Sequence, residues 1–297
     1  MFRLLLVAFV LVQFNKLIGQ ELKHTSFPMP ENALLWKIEG PNVKKDCYLF
    51  GTMHLIEKDY FFFPDKLTKI VRKSEQLVME LPGIPNQLEA LKLVKLKEGS
   101  FFDFFTPQQT DSILAWAKSE LKMTENQFKS SMGSMKPFVA IQLAVQMHFL
   151  GKTESYEITL EAIARDNNLE IKGLETIEQQ LSFFDNLSKE KQAEMVMEGI
   201  RKSDELLNTT LKMEKLYNRQ NVDSLYLLIH EEGGTISQEE NTFLEERNKN
   251  WVPKIATFIA QKKTFIAVGA GHLGGPNGLI RLLEQKGYTL TPIVLEN

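Results

Sequence analysis

The chain has 297 residues, of which 43% are hydrophobic and 25% charged, with a formal net charge of −3. That length is enough to bury a substantial core, and the composition is that of an ordinary globular protein. The faint acidic balance gives no footing for a nucleic-acid partner, and a lone cysteine, Cys47, rules out an intramolecular disulfide.

The first twenty residues, MFRLLLVAFVLVQFNKLIGQ, carry one early base, Arg3, and an unbroken apolar run from Leu4 to Val12. The run is shorter than the roughly 20 residues a spanning helix needs, but it fits the apolar core of a secretory signal peptide ahead of the small residue Gly19. The expectation is a leader over 1–20 and a single domain over 21–297 that is secreted or periplasmic. No stable membrane insertion is expected after leader removal, and nothing bears on oligomeric state.

Beyond a polar segment, ALLWKIEG and DCYLFGTMHL read as two strands joined by a turn at Gly40-Pro41-Asn42. DKLTKIVRKSE places Leu67, Ile70 and Val71 on one helical face and leads into the strand-like QLVMEL, which ends before Pro82. From about Asn86 to Lys262 the pattern is mainly helical. Within it, SYEITLEAIARDNNLEIKGLE reads as helix and then strand, with Asn167-Asn168 as the break. The chain continues with strand TFIAV, a glycine-rich loop, helix NGLIRLLEQKG and strand YTLTPIVLE. Strands therefore come from both ends and the middle. The expected fold is α/β (α+β), a mixed central sheet with the N- and C-terminal strands adjacent, flanked by helices and a large helical insertion.

The loop after TFIAV contains a literal G-x-G-x-x-G at Gly269, Gly271 and Gly274, the dinucleotide-binding spacing. Pro276 and Asn277 set the following helix later than a phosphate turn requires, and a second loop points elsewhere. Gly51-Thr52-Met53-His54-Leu55 after CYLF matches Gly269-Ala270-Gly271-His272-Leu273: strand, G-x-x-H, leucine. If the two strands are neighbours, His54 and His272 converge at the sheet's carboxyl edge, where open α/β sheets place their sites. Two imidazoles and a carboxylate make a usual divalent-metal set, and the alternative is a pair of hydrogen-bonded turn histidines. Glu80, closing QLVMEL, and Glu175, after IKGL, also stand at strand ends, as ligand, general base or merely turn charges. Arg247 in EERN is able to hold a substrate carboxylate or oxyanion; the alternative is a helix-surface pair with Glu245 or Glu246.

Taken together, YLFGTMHL, VMELP, IKGLETIEQQLSFFDNL, EERN and VGAGHLGGPNGLIRLLEQKGYTLTPI resemble the TraB/GumN family, which includes the Tiki-type metalloproteases and the pheromone-shutdown proteins. The likeness spans about Leu34 to Val294. It implies a divalent-metal-dependent hydrolase, most simply a peptidase acting on peptide or protein substrates. Manganese or cobalt is favoured over zinc, the matching residues being His54, His272, Glu80, Arg247 and, in the G-L-E element, Glu175. The family's similarity in fold to erythromycin esterases and ChaN haem-binding proteins leaves two alternatives: a metal-independent esterase-like hydrolase and a non-catalytic peptide or haem binder. One departure stands out: Ser155-Tyr156-Glu157 replaces the family's G-x-D pattern, keeping the carboxylate one methylene longer.

Overall fold

The computed structural model describes residues 32–83, 87–149, 151–231 and 237–296. The segment expected as a leader lies outside them. Along the chain the first elements are β1 (Leu35–Glu39), β2 (Cys47–Thr52), the two-residue β3 (Ile56–Glu57), α1 (Asp65–Arg72) and β4 (Gln76–Met79). A helical stretch follows: α2 (Gln87–Leu93), α3 (Pro107–Ser119), α4 (Glu125–Met132) and α5 (Phe138–Phe149). Next come β5 (Thr153–Glu154), α6 (Tyr156–Asp166), β6 (Glu170–Gly173), α7 (Ile177–Asn186), α8 (Lys189–Arg201), α9 (Ser203–Asn218), α10 (Val222–Glu231) and α11 (Ser237–Gln261). The chain ends with β7 (Thr264–Gly269), α12 (Leu279–Gln285) and β8 (Thr289–Ile293).

Six strands form one mixed sheet in the order β6-β4-β7-β2-β1-β8. The pairs β6·β4, β4·β7 and β7·β2 are parallel, and β2·β1 and β1·β8 antiparallel. The turn after β1 follows from its residues: Gly40 and Asn42 take positive φ, the left-handed conformations these two types tolerate best. The mixed sheet and the adjacency of the first and last strands are as the sequence predicts. The small antiparallel pair β3·β5 is not, because two-residue strands leave no alternation to read.

One core lies around the sheet, on residues such as Trp36, Phe50, Leu77, Phe265, Ile266 and Trp251. The central parallel strands β4 and β7 are buried on both faces, so LVM and FIAV read as unbroken apolar runs. The helices carry a second core on Phe101, Trp116, Phe128, Phe138, Leu181 and Phe184. Each such ring, fully buried, contributes on the order of 1.5–3 kcal/mol. The helix starts are written in the sequence: Thr106, Thr124 and Thr176 each cap a helix whose third residue is a glutamine reaching back, a reciprocal capping box. No described helix is long and apolar enough to cross a membrane.

Candidate functional site

The four parallel strands are consecutive in the sheet, so their carboxyl ends line one edge. β2 and β7 pair in register, Thr52 opposite Gly269, which sets the two G-x-x-H loops side by side. β4 and β6 pair Met79 with Gly173, and the next residues run on together, Glu175 N–H donating to the Glu80 carbonyl at 2.9 Å. His54, His272, Glu80 and Glu175 thus come from four neighbouring strand ends, and α11 lays Arg247 across them.

The guanidinium is the hub. Its Nη2 donates to Glu80 Oε2 at 2.6 Å and to Glu175 Oε1 at 2.7 Å, its Nε contacts both Glu175 oxygens, and its Nη1 lies 3.1 Å from His272 Nε2. Arg247, Glu80 and Glu175 are buried, so the surface-pair reading of Arg247 and the turn-charge readings of both glutamates do not describe them. The Trp251 ring, one helical turn along α11, lies 4.6 Å from the guanidinium carbon, and Phe243 lies 5.2 Å from it. Both rings offer the cation a π face in place of water.

The hydrogen bonds fix the His272 tautomer. Asn248 Nδ2 faces the carbonyls of His272 and Asn277, so that atom is the amide NH₂ and Oδ1 is what faces His272 Nδ1 at 2.7 Å. The proton therefore sits on Nδ1, and Nε2 presents a bare lone pair to the guanidinium. Burial, then Arg247, pulls the His272 pKa down to about 3, so the ring is neutral.

His54 behaves oppositely. Burial alone would lower its pKa, but Glu157 overrides this and the pKa rises to about 9. Nδ1 stands 2.9 Å from Glu157 Oε1. The oxygen lies off the line of the ring N–H, so this is a close charge pair and not an aligned hydrogen bond. Glu157 also accepts from Thr52 Oγ1 and Ser155 Oγ, and it sits in the first turn of α6, where the helix dipole favours an anion. The Ser155-Tyr156-Glu157 departure thus retains a carboxylate that reaches His54.

Burial pushes the Glu80 carboxyl up, but Arg247, His272 and His54 together hold it down at about 2. Its Oε1 accepts from Gly269 N–H at 2.8 Å. Glu175 differs in sign: burial raises its pKa despite the guanidinium. A Cβ placed on Gly269 would lie 3.3 Å from Glu80 Oε1, 3.7 Å from His272 Cδ2 and 3.8 Å from His54 Nε2, so both imidazoles and the carboxylate meet around one point. The donor types suit a divalent ion: Nδ1 of each imidazole lies against an oxygen, His54 Nε2 faces the common point, and His272 Nε2 faces the Arg247 guanidinium. Among the described residues no three such side chains already stand as a ligand shell, and Arg247 currently occupies His272 Nε2 and Glu80 Oε2.

An inner chamber of about 100 Å³ is lined by His54, Glu80, His272, Gln180 and Arg247 with apolar walls from α9 and α10. An outer groove of about 1050 Å³ runs between α7 and α11 and reaches Glu175. Arg247 and Phe243 line both. The structure thus brings together all five residues singled out from the sequence and adds Glu157, Asn248 and Gln180. Asn248 is the last letter of EERN and Gln180 lies inside IEQQL, so both were in view, but neither residue type announces a role without its neighbours.

The glycines of the last loop serve packing. A Cβ on Gly274 would stand 2.4 Å from the Val222 carbonyl oxygen, and α12 starts only at Leu279. A model of the TraB/PrgY/gumN family matches residues 34–292. No curated protein and no solved structure matches the chain.

Proposed function

The chain belongs to the TraB/PrgY/gumN family, and on that premise we propose that it is a secreted or periplasmic hydrolase, of peptidase type, working at the cluster around Gly269. The observation that carries the reading is the meeting of His54 Nε2, His272 and Glu80 Oε1 about one point, in a chamber that shares Phe243 and Arg247 with a groove large enough for a peptide.

His54, His272 and Glu80 would hold a divalent ion, manganese or cobalt before zinc, which when bound polarises a scissile carbonyl and lowers the pKa of water. Loading costs the His54 proton and requires Arg247 to release His272 and Glu80, while Glu175 retains the guanidinium through Nε and Nη2.

The chain's own groups divide the remaining work. Glu175, whose carboxyl is pushed up by burial, lines the groove and is suited to take and return a proton. Arg247, which lines both groove and chamber, orients a substrate carbonyl or supports the oxyanion. Asn248 keeps His272 in the tautomer with Nε2 free.

A second reading rests on a specific contact: Arg247 already places a fixed cation against Glu80 and His272, as a metal-independent, esterase-like site would require. A mass-spectrometric digest of a peptide library with and without Mn²⁺, beside metal analysis of the wild type, His54→Ala and His272→Ala, separates the two. Metal-dependent cleavage lost in both variants supports the first reading. Full activity after exhaustive chelation transfers the function to the second, and tight ligand retention without turnover indicates a peptide or haem binder.

A further inference from the structure

His54, Glu80 and His272 line the inner chamber, so a bond cleaved at that cluster has to enter it, and the groups flanking the bond meet its walls. Those walls are largely apolar: Met53 after β2, Met213 on α9, Leu225 and Ile229 on α10, and Phe243 and Leu244 on α11. Met53, Met213 and Leu225 are buried, whereas Ile229, Phe243 and Leu244 are partly exposed, which grades the walls from an inner end to a mouth. Two further lining side chains spend their polar tips elsewhere. Thr52 Oγ1 donates to Glu157, and the Tyr217 O–H donates to the Gly51 carbonyl at 2.8 Å. The charges are committed too, Arg247 to Glu80 and Glu175, and His54 against Glu157. A charged side chain entering here would lose its water and find no counter-ion to replace it, while an apolar one gains contacts. The volume of about 100 Å³ is several times the roughly 10–15 Å³ that one water needs, which leaves room for a side chain beside the reacting groups.

We infer that the apolar part of the chamber is a specificity pocket that receives one apolar side chain, of the size of leucine or methionine, next to the cleaved bond. The inference rests on the hydrolase reading above, holds with or without a bound ion, and narrows the substrate to peptides that carry such a residue at that position. Two of the walls are methionines, whose unbranched side chains adapt to what they touch, so the pocket sorts by apolarity and size more than by branching.

The test first reads the residues on both sides of every bond that the wild type cleaves in a peptide library. It then measures kcat/KM on a matched set of peptides with Leu, Ala, Lys or Glu at the selected position. Leucine is expected to exceed alanine by about tenfold or more, and lysine and glutamate by a wider margin. Met213→Ala deepens the pocket and Leu244→Ala widens its mouth, so either should move the optimum from leucine toward phenylalanine and tryptophan at that position alone. The absence of an apolar preference on either side of the bond overturns the inference and leaves the hydrolase reading intact. A preference that neither variant moves also overturns it, because the selecting contacts then lie outside the chamber, as at Phe183 in the outer groove. A wild type that cleaves no peptide overturns both. Should Met213→Ala fail to fold, the partly exposed Leu244 gives the milder change, and Leu244→Ala against the wild type decides.

Discussion

Arg247 and Glu80, separated by 167 positions in the chain, meet with Nη2 and Oε2 2.6 Å apart at the centre of the candidate site. The same guanidinium neutralises Glu175. Arg247→Met keeps the volume but strands two buried carboxylates, and breaking a buried charge network from one side costs about 3–5 kcal/mol. Urea unfolding should register that loss. Arg247→Lys should recover only part of it, since an ammonium cannot span Glu80, Glu175 and His272 with one fixed fork. A lysine variant as stable as the wild type would show that charge alone holds the cluster.

Asn248 offers a second handle. Its Oδ1 accepts the hydrogen bond of His272 Nδ1–H and its Nδ2 donates to the carbonyls of His272 and Asn277, so it sets both the ring and the loop. Asn248→Ala should weaken Mn²⁺ binding measured by calorimetry by about 10–100-fold, the usual effect of losing such a supporting contact. Unaltered affinity would detach Asn248 from the metal reading.

The outline of this site was legible because strand ends are. A glycine and a histidine after an apolar run mark a turn at a sheet edge, and two such runs that pair in parallel bring their histidines together, as β2 and β7 do. Glu80 and Glu175 followed from the same logic on β4 and β6. Arg247 was harder, because EERN on a long helix looks like a charged surface. Lys249 and Glu245 do form an exposed i,i+4 pair there, while Arg247 turns inward. Which face of α11 is buried depends on how the helix crosses the sheet, and local spacing does not encode that. The contacts of Glu157 and Gln180 were hidden for the same reason: Glu157 stands out as the carboxylate of the departed G-x-D pattern, but each residue meets its partner, His54 or Glu80, only through tertiary packing.

The G-x-G-x-x-G spacing yields a steric prediction. At Gly274 an added methyl meets backbone, the Val222 carbonyl oxygen at 2.4 Å, whereas at Gly271 it meets only Ile229 Cδ1 at 2.7 Å, the far end of a side chain able to rotate. Gly274→Ala should therefore lose on the order of 1–3 kcal/mol and displace the loop that carries His272. Gly271→Ala should lose less than about 1 kcal/mol. Thermal melts of the two variants check the ordering, and equal destabilisation would place the constraint elsewhere in the loop.

Glu214 supplies a pH dependence remote from the histidines. It is fully buried on α9, Oε1 accepting from the Glu57 N–H at 2.7 Å and Oε2 without a partner among the described residues. Burial is the main cause of a carboxyl pKa pushed up to about 6 from an ordinary 4.5. A raised folded-state pKa means that the native protein binds the extra proton between those two values, so stability falls as pH rises through that window. Below about pH 4.5 both states are protonated and Glu214 exacts no penalty; above about pH 6 the full penalty, on the order of 1–2 kcal/mol, is present. Glu214→Gln mimics the protonated acid at every pH. The variant should match the wild type near pH 4 and exceed its stability by that amount at pH 8 in denaturant titrations. A difference of the same size at both pH values would mean that the substitution acts through packing and that Glu214 is not the titrating group.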